Sequence, residues 1–410
     1  MTDRRSAVIT GLGVRTPCGN DPDEMWSALL TGRSAARAIT RFDTAGLPVD
    51  FACVVPPFDP APYLTPKEDR RSDPVTRLGV SAAQDAMSDA GAPAAPPERR
   101  ALVVGESHGG AHTQESVLLA PDAHGRGRPS ALYVPKTMLN ATAAAIAVRH
   151  GIRGPSLCVA TACASGGHAV GEALRLIRDG SADLVLAGGV DAYITPTFVL
   201  AFHGLGALST RTRDPEHASR PFDTDREGFV FGEGAAFLVV ESAEHAERRG
   251  ARVHAELAGY GRTTDAYHLT APDPGGDGVR RAMLEALHDA RIAADDVAHV
   301  NAHATSTPAG DLAEARAIAE VFGAHRVPVT SCKGAMGHLI GAAGAVEAVV
   351  AALTLREGLI PPTANTDTPD PACEIDVVTG PPRKLGEGAV VSNSLGFGGH
   401  NASVVLRRAS

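Results

Sequence analysis

Six cysteines stand at 18, 53, 158, 163, 332 and 373, and one of them has the surroundings of a nucleophile. Cys163 lies in Ala160-Thr161-Ala162-Cys163-Ala164-Ser165-Gly166-Gly167. An apolar, strand-like run precedes it, and Val170, Ala173, Leu174 and Ile177 follow at helical spacing. The pattern puts the thiol at a strand-to-helix turn, where free N–H groups and the helix dipole stabilise a thiolate. Small neighbours let a carbonyl approach the sulfur. The same context also suits an inert buried cysteine. Cys158, inside the strand, and Cys332, just before a lysine, read as structural thiols. No pair has Cys-x-x-Cys spacing, so neither a zinc ribbon nor a redox dithiol is indicated.

Two further polar segments follow buried, strand-like runs. One carries His303 with Thr305 and Thr307; the other carries Lys333 and His338. A histidine at a strand end can donate a hydrogen bond to a developing oxyanion or move a proton. Taken singly, each is more commonly a structural histidine. Zinc would need three or four converging ligands at metal spacing, and none is evident. Near the C-terminus, Leu395-Gly396-Phe397-Gly398-Gly399-His400 can bend sharply and offer N–H groups to an anion. It lacks the Lys-Ser/Thr ending of a phosphate loop and runs into an apparent strand at 402–406.

Elements that alternate between strand-like and helix-like runs must position these residues, which indicates α/β layering. Strands are expected at 7–9, 101–104, 157–160, 184–187, 235–240, 254–260, 297–301, 327–330 and 389–393. Helices are expected at 278–290, 311–322 and 344–357, with a charged helical link at 241–250. Asp311 and Glu314 look like acidic residues favouring a helix N-terminus. Pro-rich segments at 93–97 and 361–371 read as surface loops.

A chain of 410 residues exceeds one ordinary core, so two lobes are expected. The net charge of −9 weighs against a non-specific nucleic-acid binder, while leaving room for a local basic patch. The N-terminus lacks the long apolar region of a signal peptide. The longest apolar stretch, 343–355, is too short for a membrane span and carries Glu347. A cytoplasmic, reduced protein is the expectation.

Taken together, these segments resemble the β-ketoacyl-acyl-carrier-protein synthases, the elongating condensing enzymes of dissociated fatty-acid and polyketide systems. The likeness spans nearly the whole chain. It begins at Val8-Ile9-Thr10-Gly11-Leu12-Gly13 and takes in Gly154-Pro155-Ser156, the cysteine segment and Ala207-Leu208-Ser209-Thr210-Arg211. It continues through Ser219-Arg220-Pro221-Phe222-Asp223, Asp265-Ala266-Tyr267-His268 and Pro361-Pro362-Thr363 to the loop at 396–401.

The resemblance implies a thiolase-like α/β fold of two duplicated halves in five α/β/α/β/α layers. Residues 1–248 would carry the cysteine, and residues 249–410 the histidines and the glycine-rich loop. It implies that Cys163 accepts the acyl group and that His303 and His338 serve decarboxylation. Lys333 would support them, paired with Glu347, and Phe397 would gate the site. Cys163 and Phe397 N–H groups would form an oxyanion hole. Thr305 and Thr307 match pantetheine-contacting hydroxyls, with Gly398 and Gly399 beside the substrate. No metal or bound cofactor is implied, because substrates ride on the phosphopantetheine of an acyl carrier protein. Lys67, Arg70, Arg71, Arg126 and Arg128 match the family's docking patch for that acidic partner; ordinary solvated surface is the alternative.

The chain departs from the family at Gly105-Glu106-Ser107-His108-Gly109-Gly110, where His108 replaces an apolar residue near the acyl-pocket floor. A shorter or more polar pocket follows, and with it a type II polyketide or specialised acyl pathway rather than housekeeping elongation. A homodimer or a heterodimer with a chain-length subunit is expected. The chain-length subunit itself lacks the nucleophile, which Cys163 supplies here. A thiolase would place a second cysteine where this chain has Gly396-Phe397-Gly398-Gly399.

Overall fold

The structure, a computed structural model, describes residues 4–120 and 127–409. Eleven strands form its principal sheet: β1 Ala7–Arg15, β2 Arg100–Gly105, β3 Ser156–Val159, β4 Leu184–Asp191, β5 Gly234–Ser242, β6 Ala255–Thr264, β7 Val297–Asn301, β8 Pro328–Thr330, β9 Asp376–Val377, β10 Ala389–Gly396 and β11 His400–Arg407. Their order is β9-β8-β7-β10-β11-β6-β1-β5-β4-β2-β3.

The order divides into two sets with one pattern. In the first, β3, β2 and β4 run parallel, and β4–β5 and β5–β1 pair antiparallel. In the second, β8, β7 and β10 run parallel, and β10–β11 and β11–β6 pair antiparallel. Among the described residues a short antiparallel pairing, Ala7–Ile9 with Ala255–Leu257, is the one strand pairing that joins them.

Helices α1 Pro74–Asp89 and α2 Ala141–His150 cover the first set, and α4 Asp277–Ala290 and α5 Pro308–Phe322 cover the second. Between the sets lie α3 Ser165–Arg178 and α6 Ala343–Glu357, which pack on each other and on strands of both. These are the five expected layers. Helix α6 is buried from Ala343 through Leu355 because it has strands on two sides and a helix beside it. A helix buried all round needs no polar face, which explains its membrane-like composition. Among the described residues no helix is long and apolar enough to cross a membrane.

One packing device occurs in both sets. A Cβ at Gly11 or Gly13 on β1 would collide with backbone of α1 at Ala86 or Ala82. A Cβ at Gly259 or Gly261 on β6 would collide with α4 at Ala286 or Ala282. Beside each contact an aspartate ending the helix accepts a strand N–H: Asp89 from Leu12 at 2.9 Å and Asp289 from Tyr260 at 3.0 Å. Glycine pairs facing alanines at four-residue spacing thus seat each outer helix directly on its strand.

The expected strands and helices form, but β1 runs on to Arg15 and β4 to Asp191, through glycines rather than ending at them, and the helical link is confined to Ala243–Arg248. One expectation fails. Residues 361–364 are buried rather than at the surface. Thr363 donates its N–H to the Val378 carbonyl at 2.7 Å and accepts the Ser331 N–H at 3.2 Å. The segment packs against the turn that carries Lys333, so its prolines stiffen an internal brace.

The seating device predicts that Gly13→Ala and Gly261→Ala each cost about 1–3 kcal/mol, because backbone must move to admit a methyl group. Gly204→Ala, with open space around its Cβ position, is the control. Thermal unfolding should show a lowered midpoint for the first two and none for the third; equal midpoints would refute the close seating.

Candidate active site

Cys163 sits between β3 and α3 on a strained turn. Ala162 before it has φ of 50°, in the left-handed region that alanine seldom adopts. The turn is fixed by the Ser165 hydroxyl, which donates to Ala162 O at 2.6 Å and accepts the Thr161 N–H at 2.9 Å. The end of β10 presses on it from the other side. A Cβ at Gly396 would collide with the Thr161 carbonyl oxygen, so only glycine permits this approach. The approach directs the Phe397 N–H at the Cys163 sulfur, alongside the N–H of Cys163 itself.

Cys163 opens onto a cavity of about 400 Å³ lined also by Phe202, Thr305, Thr307, His303, His338 and Phe397. His303 lies just past β7 and His338 past a short helix at Lys333–Met336. Their rings stand perpendicular with centroids 5.3 Å apart. Burial, then the Lys333 charge, pushes both imidazoles well below their ordinary value of 6.5, so both are neutral near pH 7. Lys333 is 1% exposed, forms an ion pair with Glu347 of α6, and lies 3.5 Å from His303 Nδ1. A donor there leaves the imidazole proton on Nε2, free to be donated elsewhere.

The Cys163 thiol departs from expectation. Burial pushes it up to about 12, against the opposing pull of the Lys333 charge and the two N–H groups. Desolvating a thiolate outweighs the start of α3, so the resting group is a thiol.

Two carboxylates that no sequence signal places here hold the histidine segment. Glu314 accepts the N–H groups of His303 at 2.9 Å and Ala304 at 2.8 Å, plus Asn393 Nδ2 at 3.1 Å. Asp311 accepts those of Phe222 at 2.9 Å and Ser306 at 3.1 Å. Both are fully buried, so they anchor loops instead of decorating a helix end as expected. Their Asp-x-x-Glu spacing was visible, but nothing in sequence says which loop folds back onto it.

The glycine-rich loop is latched at its far side. Gly398 donates to Leu269 O at 2.8 Å, and Asp265 accepts Asn401 Nδ2 at 2.6 Å. The Phe397 ring stacks on Phe202, centroids 6.4 Å apart. The Thr305 and Thr307 hydroxyls lie 3.1 Å apart, and Gly399 lines the cavity while Gly398 does not. His108 is also outside the lining; it sits behind Tyr193 and Phe198, 3.1 Å from Gln114. Lys67, Arg70, Arg71 and Arg128 are exposed and away from the cavity, and Arg126 lies outside the described residues.

A thiol under two N–H donors and two neutral imidazoles set on a buried lysine can accept an acyl group and stabilise an enolate beside it. Comparison with known proteins agrees. Residues 4–246 match the β-ketoacyl synthase N-terminal domain and residues 254–367 the C-terminal domain. The 3-oxoacyl-[acyl-carrier-protein] synthase 2 of Coxiella burnetii is 42% identical over 99% of both chains. The ishigamide ketosynthase/chain length factor structure is 35% identical, covers 100% of both chains and has a TM-score of 0.91. A type II polyketide acyl-carrier protein in complex with its ketosynthase bound to the hexaketide is 30% identical over 100% of both chains, with a TM-score of 0.90. This chain therefore belongs to the β-ketoacyl synthase family of condensing acyltransferases.

Proposed function

We propose that the protein is an elongating β-ketoacyl-acyl-carrier-protein synthase that holds the growing acyl group on Cys163. The observation that carries this is the convergence of Cys163, His303, His338 and the Phe397 N–H on one cavity. The Cys163 sulfur attacks the thioester carbonyl of an acyl-carrier protein, the C–S bond to the carrier breaks, and the Cys163 proton ends on the carrier sulfur, which departs as a thiol. The N–H groups of Cys163 and Phe397 hold the oxyanion. A malonyl thioester then loses carbon dioxide, and N–H donors from His303 and His338 stabilise the enolate oxygen. The carbanion attacks the acyl carbon and expels the Cys163 sulfur, lengthening the chain by two carbons. Lys333 sets the charge and tautomer of His303, and Glu347 balances its charge. No metal or bound cofactor enters the scheme.

Thr305 and Thr307 at the cavity wall suit the amides of a pantetheine arm, and Gly398 and Gly399 shape the loop beside it. Lys67, Arg70, Arg71 and Arg128, all exposed, are the described residues of the docking patch for the acidic carrier. A second ketosynthase-like subunit, identical or of the chain-length kind, covers the open edge of β3. That edge is unpaired among the described residues and has Leu157, Val134 and Met138 exposed nearby. His108 lies outside the cavity lining, so the likeness to the ishigamide and type II polyketide ketosynthase structures, not a polar pocket floor, is what supports a type II polyketide or specialised acyl pathway.

Cys163→Ala should take up no acyl group from acyl-carrier protein, read by intact-protein mass, while malonyl decarboxylation persists. His303→Ala should lose decarboxylation. Acylation of the Cys163→Ala protein, or normal turnover of the other, would remove that residue from the scheme. Because the thiol sits near 12, the rate of Cys163 alkylation by iodoacetamide should still rise about tenfold per pH unit between pH 7 and 9. A plateau below pH 8 would show a resting thiolate. Arg70→Glu with Arg71→Glu should raise KM for carrier-bound substrate severalfold and leave kcat with free pantetheine thioesters unchanged. An unchanged KM would move the docking patch elsewhere.

A further inference from the structure

Behind Cys163, away from the cavity opening, the space is filled. Cys163 belongs to an apolar cluster with Tyr193, Ile194, Phe231 and Ile340. Tyr193 is its centre: 5% exposed, edge-on to Phe231 at 5.8 Å, tilted against Phe198 at 4.7 Å and stacked on Phe202 at 6.4 Å. The His108 ring backs Tyr193 at 5.7 Å. The cavity reaches Cys163, Phe202 and Ile340 and stops short of Tyr193.

The phenol is tied as well as packed. Its hydroxyl lies 3.0 Å from Ser107 Oγ, which donates to Asp191 at 2.6 Å. Asp191 also accepts the Gly341 N–H at 2.6 Å, and it is 1% exposed. The tether therefore runs from the ring to the ends of β2 and β4 and to the segment following His338. Swinging the ring aside would take the buried phenol hydroxyl from its Ser107 partner and the ring from its aromatic packing, which makes it a poor gate and a good stop.

We propose that Tyr193 is a specificity-determining residue that closes the acyl end of the site, so that Cys163 accepts short acyl groups and excludes medium and long ones. This rests on the condensing-enzyme reading and deepens it by fixing the substrate class. Saturated chains of eight or more carbons have no room behind the sulfur while the phenol is in place. Acetyl- and butyryl-sized groups fit beside the thiol in the existing cavity.

The test loads the enzyme, with any subunit that co-purifies, from acetyl-, butyryl- and octanoyl-acyl-carrier protein and follows Cys163 acylation by intact-protein mass. Native enzyme should load acetyl and butyryl at least about tenfold faster than octanoyl. Tyr193→Ala should raise the octanoyl-to-acetyl ratio by about tenfold or more, since it empties the phenol's volume. Tyr193→Phe, which keeps the ring, should retain the native preference. Should Tyr193→Ala fail to fold, Tyr193→Leu reads the same gain. Native enzyme loading octanoyl as fast as acetyl overturns the stop, as does a folded variant whose ratio does not change. Loading from none of the donors overturns the condensing-enzyme reading itself, a separate result from loading without length preference.

Discussion

A single buried ammonium organises the site. Lys333 is enclosed, and its charge is tolerable because Glu347 reaches it from α6. A buried ion pair is a poor source of stability, since desolvation offsets much of the attraction. Its value here is electrostatic. The Lys333 charge helps hold His303 and His338 neutral, pulls the Cys163 thiol downward and orients His303 through Nδ1. Much of the surrounding structure keeps that charge in place. Helix α6 must run through the centre to deliver Glu347, and the buried proline segment braces the Lys333 turn.

Neutral histidines suit the proposed chemistry for a physical reason. A donor whose proton stays put stabilises an enolate oxygen without being titrated by it. An imidazolium would attract the malonyl carboxylate and favour its retention, which opposes its departure as carbon dioxide. Burial alone would depress both imidazoles, but Lys333 adds a charge that acts in the same direction on each. Glu314 then supplies order rather than charge, because its oxygens are occupied by backbone N–H groups and Asn393.

Much of this was legible in the sequence. Strand-like runs ending in small residues located the elements, and the cysteine and histidine segments located the site. What escaped was whatever depends on contacts between distant segments. Gly11 and Gly13 against α1, and Gly259 and Gly261 against α4, form one repeated device whose helix partners lie far along the chain. Asp89 and Asp289 repeat it too, though neither looks unusual in its own helix. Asp311 and Glu314 read as ordinary N-terminal acids because periodicity shows a helix start, not the loop that returns to it. His108 stood out as a substitution. Tyr193, which shields it from the cavity, did not, because an aromatic residue after a strand is unremarkable until its neighbours are known.

The cysteine shows where a local rule gives way to a global one. A strand-to-helix turn and a following helix favour a thiolate, and that pattern is present. The fold then encloses the sulfur among Tyr193, Ile194, Phe231 and Ile340, and desolvation of the anion dominates. The same enclosure makes the two N–H groups effective, because a hydrogen bond to an anion strengthens as water is excluded. The site is thus poorly suited to holding charge on sulfur at rest and well suited to holding it on oxygen once a thioester has arrived. Exclusion of water also protects an acyl-cysteine from hydrolysis while it awaits the malonyl carbanion. A resting thiol and a protected intermediate follow from one structural cause, the packing behind Cys163.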